Sequence, residues 1–267
     1  MNRRIIALLA VLILFGAVPA LAHENHDPRY SVEGFSFVIP ESLATSINVM
    51  HYAGDPVDLE QPGGPEPKHT AIIAYNAEGF GAAVPAPGDA VGSMRVYQVA
   101  DLTDYNMYRA TVEQLTKLIA DKADLTLYMQ FQDEPIDSMP TLPFLPIYPA
   151  GQILRARAHY VETETLKGIV YVTVYRQFAA PFERGEFIYT FQALSNDGST
   201  YIAAQWKAAP NVFPEKIEPV DDQTFYDKYN DYLRQSTQQL NDAAAADFAP
   251  TLAVLDEVFA SFEVTAE

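Results

Sequence analysis

The sequence predicts an α+β fold: an antiparallel β-sheet covered by helices, with a long C-terminal helix followed by a short last strand. Three observations predict it. Residues 152–207 hold four consecutive runs with strand-like alternation and turn residues between them. Two segments, one near 104–121 and one from Phe225 on, repeat apolar residues at three- and four-residue spacing. The chain is 49% hydrophobic and has no cysteine, so its stability has to come from a packed core rather than from disulfides.

The first 22 residues form a unit of their own. Arg3 and Arg4 precede an apolar run from Ile5 to Val18, and Ala20-Leu21-Ala22 puts small residues where a signal peptidase reads. A run of about 14 residues falls short of the roughly 20 that a bilayer-spanning helix needs, so the expectation is a cleaved signal peptide with no membrane anchor afterwards. The residues after Arg3-Arg4 do not complete a twin-arginine signal. Residues 23–29 are expected as a flexible leader and 30–267 as one α+β domain of a secreted or periplasmic protein. Loss of residues 1–22 takes the formal charge from -18 to -20, 15 Lys and Arg against 35 Asp and Glu. That balance argues against nucleic acid or an anionic membrane surface and leaves a protein or a small molecule as partner.

In chain order, residues 30–39 alternate, are rich in Phe and Val and end at Pro40, which predicts a strand. Residues 46–52 predict a second. The stretch 54–67 holds four prolines and three glycines and is predicted as a long loop. Strands follow at 69–75 and 93–99, separated by a Gly/Pro/Ala stretch over 79–92. Thr103 or Asp104 is placed to cap a helix with apolar positions Met107, Tyr108, Val112, Leu115, Leu118 and Ile119.

Pro140, Pro143, Pro146 and Pro149 then recur every third residue in "PTLPFLPIYP", the period of a polyproline II helix. Such a stretch serves either as a ligand for a proline-reading domain or as an extended connector. Leu142, Phe144, Leu145 and Ile147 favour the connector, because exposing them would be a liability.

Strands are predicted at 152–162, 168–178, 186–194 and 200–207. The last two are joined through "SNDGS", where Asn196-Asp197-Gly198 supplies positive-φ residues for a tight turn. Phe225, Tyr229, Tyr232, Leu233 and Leu240 mark one helical stripe, and Leu252, Leu255, Val258 and Phe259 a second helix after Pro250. Residues 261–265 are the closing strand.

The register that gathers most aliphatic residues puts Leu154, Ala156, Ala158, Val170, Val172, Val174, Ile188, Ile202, Ala204 and Trp206 on a core face. Arg155, Arg157, His159, Tyr171, Thr173, Tyr175, Phe187, Tyr189, Phe191, Gln205 and Lys207 then share the other. Arg155, Arg157, His159, Tyr171, Tyr175 and Tyr189 are the candidate ligand-binding residues, because cations beside aromatic rings make a floor for an anionic or aromatic ligand. The competing reading lays a helix across that face: either 104–121, or an acidic C-terminal helix with Asp221, Asp222, Asp227 and Asp231, paired with the arginines.

No catalytic residue is assigned. There is no G-x-S-x-G elbow, no cysteine nucleophile and no glycine-rich phosphate loop. Glu162 and Glu164 fit a solvated turn better than an acid/base pair. His23 and His26 are the candidate metal residues: after cleavage the His23 amine and imidazole can chelate Cu(II), with His26 adding a second imidazole. Against that, a short polar leader is ordinarily unstructured, and no cofactor is expected beyond adventitious copper.

The hairpin around Tyr189, Thr190, Phe191, Gln192, Leu194, Asp197, Gly198 and Tyr201 resembles the "YTFQxLxxDGxxY" hairpin of a family of exported bacterial proteins of unassigned function. Ala193 and Ser195 depart from that family's pattern. The resemblance covers mostly residues 140–208, with support from "DFAPTLAVLDEVFASFEV", and implies no catalytic residues. The layout is also similar to that of the PsbP and Mog1 proteins, whose α/β/α sandwich serves binding and assembly; this implies a non-enzymatic binding or accessory role. The alternatives are a copper-binding protein and a carboxylate-dependent hydrolase.

Overall fold

The computed structural model describes residues 28–76, 89–130, 139–218 and 223–265. The signal segment, His23, His26, Asp221, Asp222 and most of the 79–92 stretch lie outside the described residues. The first half runs β1 (Arg29–Val32), β2 (Phe35–Val38), β3 (Ser46–Tyr52), β4 (His69–Tyr75), β5 (Ala90–Gln98), α1 (Val99–Leu102) and α2 (Asn106–Asp121). The second half runs β6 (Gly151–Glu162), β7 (Leu166–Arg176), β8 (Ile188–Ser195), β9 (Thr200–Lys207), β10 (Ala209–Pro210), α3 (Gln223–Asp227), α4 (Tyr229–Asp242), β11 (Phe248–Ala249), α5 (Leu252–Ala260) and β12 (Glu263–Val264).

Seven strands make one antiparallel sheet in the order β3-β4-β5-β9-β8-β7-β6. Each half contributes a meander of sequential neighbours, and the two meanders meet where β5 pairs with β9. A small sheet, β1-β2-β12, and the pair β10-β11 complete the strands. The fold is therefore α+β, a sheet with helices packed on it, as the alternation and the helical stripes predict.

Both faces of the large sheet are covered. One face carries Leu154, Ala156, Val170, Val172, Val174, Phe191, Ile202, Ala204 and Trp206, and packs against α4, α5 and the small sheet through Leu233, Leu240, Leu255, Phe259, Phe35 and Phe37. Each Leu buried there contributes about 2 kcal/mol. The other face carries Ile169, Tyr171, Leu194, Tyr97 and Tyr201 under α2 (Tyr108, Leu115, Leu118) and under Leu142, Phe144 and Leu145 of the connector. The proline-rich stretch is thus a buried connector, laid across the sheet between β5 and the far edge strand β6.

Four local expectations are corrected. Residues 30–39 are not one strand: Glu33 (φ 47°) and Gly34 (φ 76°) both take positive φ, which folds β1 back on β2 as a tight hairpin. Neither Thr103 nor Asp104 caps α2, whose N-cap is Tyr105; the Thr103 hydroxyl donates to Ala100 O at the end of α1. Strand β8 is slipped by one residue relative to the expected register. Val172 faces Tyr189 and Val170 faces Phe191, so Tyr189 and Phe191 join the aliphatic face and Ile188 moves to the other. A one-residue slip exchanges every side chain of a strand between faces.

The fourth correction lies in β6. Its pairing with β7 jumps from Ala156↔Val172 to His159↔Val170, so Arg157 and Ala158 together stand opposite the single Tyr171, one residue inserted, with Arg157 at φ 56°. A bulge of this kind breaks the two-residue alternation. Arg155, Arg157 and His159 therefore do not form a stripe.

Candidate functional site

Of the six residues expected to share a ligand face, the structure brings Arg155, Tyr171 and Tyr175 together and separates the other three. Those that stay are sealed beneath the connector. Prolines strip N–H donors from that segment, and two of the donors that remain find glutamine side chains: Leu142 N–H donates to Gln152 Oε1 (2.8 Å) and Leu145 N–H to Gln192 Oε1 (2.9 Å). The Tyr171 hydroxyl donates to Pro143 O (2.8 Å), Gln152 Nε2 donates to the Tyr175 hydroxyl (2.9 Å), and the Tyr201 hydroxyl donates to Gln192 Oε1 (2.8 Å). Arg155 has no exposed surface; its Nε donates to Tyr128 O (2.9 Å), and burial pulls the guanidinium down to about 10. Burial also pushes the Tyr171 and Tyr175 hydroxyls up, so both stay protonated donors.

Arg157 turns to the opposite layer. Its guanidinium donates to Leu240 O (3.1 Å) and Ala243 O (2.6 Å) at the end of α4 and lies over the Phe248 ring, while its N–H donates to Asn241 Oδ1 (2.7 Å). A cation at a helix C-terminus meets the negative end of the dipole. Of the two helices weighed as covers for the expected ligand face, it is α2 that lies over it; the C-terminal α4 meets Arg157 on the opposite layer, through carbonyls instead of carboxylates. Tyr189 lies on the aliphatic face and donates to Asp256 Oδ1 (2.6 Å). His159 is exposed, with Nδ1 2.9 Å from Arg157 O.

The arrangement that invites chemistry lies at the other end of the connector-covered face. Residues 54–67 form a strap with closely spaced ends. Asp55 N–H donates to Glu66 O (2.8 Å), and Asp55 Oδ2 accepts from Glu66 N–H (2.9 Å) and Gln61 Nε2 (3.0 Å). At its neck Gly54 has φ +89°, and a Cβ there would meet Lys68 N at 2.7 Å. This is the closed form of an Ω-type loop. The Tyr105 hydroxyl ties the strap to the helical layer by donating to Asp55 O (2.7 Å).

Beneath the strap Glu66, His69, Arg95 and Tyr97 converge. Strand pairing sets Tyr52 beside His69 and Arg95 beside Ala71, so His69, Arg95 and Tyr97 project from one face. The His69 ring lies between Tyr52 (4.5 Å between centroids, 7° between planes) and Tyr97 (5.0 Å). His69 Nδ1 is 2.8 Å from Pro67 O. A carbonyl only accepts, so Nδ1 carries the proton and Nε2 of the neutral ring is a bare acceptor. Burial lowers the His69 pKa and so maintains the neutral form, although Glu66 pulls the other way.

Four atoms of this nest are buried without a hydrogen bond: Glu66 Oε1, His69 Nε2, Arg95 Nε and the Tyr97 hydroxyl. Glu66 Oε1 lies 3.3 Å from Arg95 Nε and 3.6 Å from His69 Nε2, near enough to interact but without hydrogen-bond alignment. Burial pushes the Tyr97 hydroxyl well up, so it keeps its proton. Tyr108, whose ring packs 6.0 Å from Tyr97, also lines a cleft of about 130 Å³ with Val57, Pro65, Tyr105 and Met107. Val57 and Met107 are half exposed at its rim, 50% and 56%.

Larger clefts exist, about 410 Å³ beside Trp206 and about 470 Å³ beside Asp197. Three of their carboxylates are already engaged, Glu186 by Arg176, Asp197 by Ser195 and Ser199, and Glu33 by Thr70. Trp206 Nε1 beside the first of these clefts is likewise buried without a hydrogen bond, but only the nest gathers four such atoms in one place. Reasoning from sequence placed its members in a loop and two strands without joining them. A usable signal was present: Arg95 is the one basic residue in an otherwise uncharged strand of a chain with 17 Lys and Arg in 267 residues. His23 and His26 lie outside the described residues, and no cluster of three or more His, Cys, Asp or Glu suited to a metal occurs among those described. No protein-family model matches this chain, and no curated protein matches it.

Proposed function

We propose that this is a non-enzymatic binding or accessory protein that works outside the cytoplasm and takes a small molecule at the nest beneath the 54–67 strap. One observation carries the reading: four buried polar atoms in one place lack hydrogen-bond partners. Each buried group left unpaired costs about 1–3 kcal/mol, and native proteins leave few of them. Four together, around ion pairs from Glu66 to Arg95 and His69 that are made without hydrogen bonds, describe a site whose partner is a ligand.

Binding is favoured over hydrolysis by the company His69 keeps. Its neighbours in the nest are a carboxylate, a guanidinium and a phenol whose proton is held by burial, so no activated nucleophile accompanies the imidazole. The role outside the cytoplasm rests on the signal read in residues 1–22, and the sheet with helical layers on both faces supports the likeness in layout to the PsbP and Mog1 proteins. Arg155, Tyr171 and Tyr175 take a fastening role in this reading.

A fragment library titrated into the intact protein and followed by backbone NMR tests it. Saturable shifts are expected at residues 54–67, His69, Arg95 and Tyr97, unchanged in Arg157→Met. Shifts centred on Arg155, Tyr171 and Tyr175, or no saturable shift with any fragment, would overturn the proposal. Intact mass of the exported protein, expected to begin at His23, checks the location.

A further inference from the structure

The four orphan atoms also define what can sit among them, an inference that rests on the binding reading. Glu66 Oε1 and His69 Nε2 are acceptors, Arg95 Nε–H is a donor, and the Tyr97 hydroxyl can do either. An anion placed here would meet a carboxylate and an imidazole lone pair, neither of which can donate to it. An ammonium group would satisfy those two but face the Arg95 guanidinium. A hydroxyl answers three of the four: its hydrogen goes to His69 Nε2 and its oxygen accepts from Arg95 Nε and Tyr97, while Glu66 Oε1 keeps its ion pair with Arg95.

The surroundings describe the rest of the ligand. Tyr52, Tyr105 and Tyr108 offer ring faces or edges near the nest, and Val57, Leu59 and Met107 are exposed apolar residues on the strap and the start of α2. Such a collar suits a carbon-rich body. The net charge of -18 adds a long-range penalty on anions.

We infer that the nest recognises a neutral, hydroxyl-bearing small molecule, seating one O–H group among Glu66, His69, Arg95 and Tyr97 and its body against the tyrosine-rich collar. Since the orphan atoms have almost no exposed surface, entry requires the strap to lift, and Gly54 and the Asp55–Glu66 bonds are where it would hinge.

The test uses the intact protein, NMR and matched probes of one shape: benzyl alcohol, benzoate and benzylammonium, with methyl glucopyranoside as a saccharide arm. Benzyl alcohol or the saccharide is expected to shift residues 54–67 and His69 saturably, and the charged isosteres to bind about tenfold more weakly or not at all. Tyr97→Phe should weaken the neutral probe, while Arg157→Met, remote from the nest, should not. Preference for the saccharide identifies a polyhydroxylated ligand, and preference for benzyl alcohol an apolar alcohol; both support the class. A charged isostere binding as tightly as the alcohol at these residues overturns the hydroxyl assignment and leaves the binding reading intact. No saturable shift with any probe, alongside fragment hits at the nest, also overturns the hydroxyl assignment alone; no shift with probes or fragments overturns both, and the nest then holds only water.

Discussion

The connector end and the strap end of the same sheet face both bury polar side chains beside tyrosines and handle them in opposite ways. Beneath the connector, Gln152, Gln192, Tyr171 and Tyr201 are interlocked in hydrogen bonds to one another's neighbours and to the connector backbone. Beneath the strap, Glu66, His69, Arg95 and Tyr97 approach one another, with two ion pairs among them, and leave four atoms without hydrogen bonds. Buried polarity at the first end fastens a segment that prolines have deprived of donors; at the second it is left unanswered. Composition alone cannot separate a fastening from a site, because the difference lies in how completely the bonds are made.

The largest test of this contrast is Gln192→Leu. It strands the Leu145 N–H and the Tyr201 hydroxyl in the core and should cost about 3 kcal/mol in urea unfolding, without altering ligand shifts at the strap. A sharper one makes the same substitution at both ends. Tyr171→Phe breaks the bond to Pro143 O and should destabilise by about 1 kcal/mol, whereas Tyr97→Phe removes an orphan hydroxyl and should be neutral or stabilising by up to about 1 kcal/mol. Equal losses from the two would break the comparison. Arg157→Met should cost about 1 kcal/mol through the end of α4, seen as a lower Tm with unchanged binding.

The smallest expected effect is on pH dependence. The folded state lowers the His69 pKa below 6.5, so the unfolded chain takes up a proton first. Stability is then fully present above pH 6.5 and declines as pH falls through the folded value. Asp197, held at about 2 by bonds from Ser195 and Ser199, gives its own loss only below pH 3.8. Urea midpoints measured between pH 7 and 4.5 should fall, and the part due to His69 should vanish in His69→Gln.

The sequence made the layout legible because alternation and helical spacing are local properties. Strands β3, β4, β7, β8 and β9 and the helices fall close to where their patterns put them. Register was not local. Nothing in "RARAHY" announces a bulge, and without it Arg157 and His159 fall on the Arg155 face. The aliphatic count equally failed to fix β8, since Tyr189 and Phe191 are as good core residues as Ile188. The nest was illegible for a related reason: its members stand at 66, 69, 95 and 97, and strand pairing alone brings them together.

The joint between the two meanders sets an order of assembly. Each meander closes through short turns, but β5 meets β9 by pairing Gly92 with Trp206 and Gln98 with Thr200, so most of the chain between them must already be placed. Joining residues so distant in sequence is the slow kind of step in folding. The only tryptophan of the protein sits at that joint, 1% exposed, with its ring so close over Gly92 that a Cβ would come within 2.2 Å of it. Trp206 emission in a refolding experiment therefore reports the docking of one half of the sheet on the other, an optical clock built into the last seam to close.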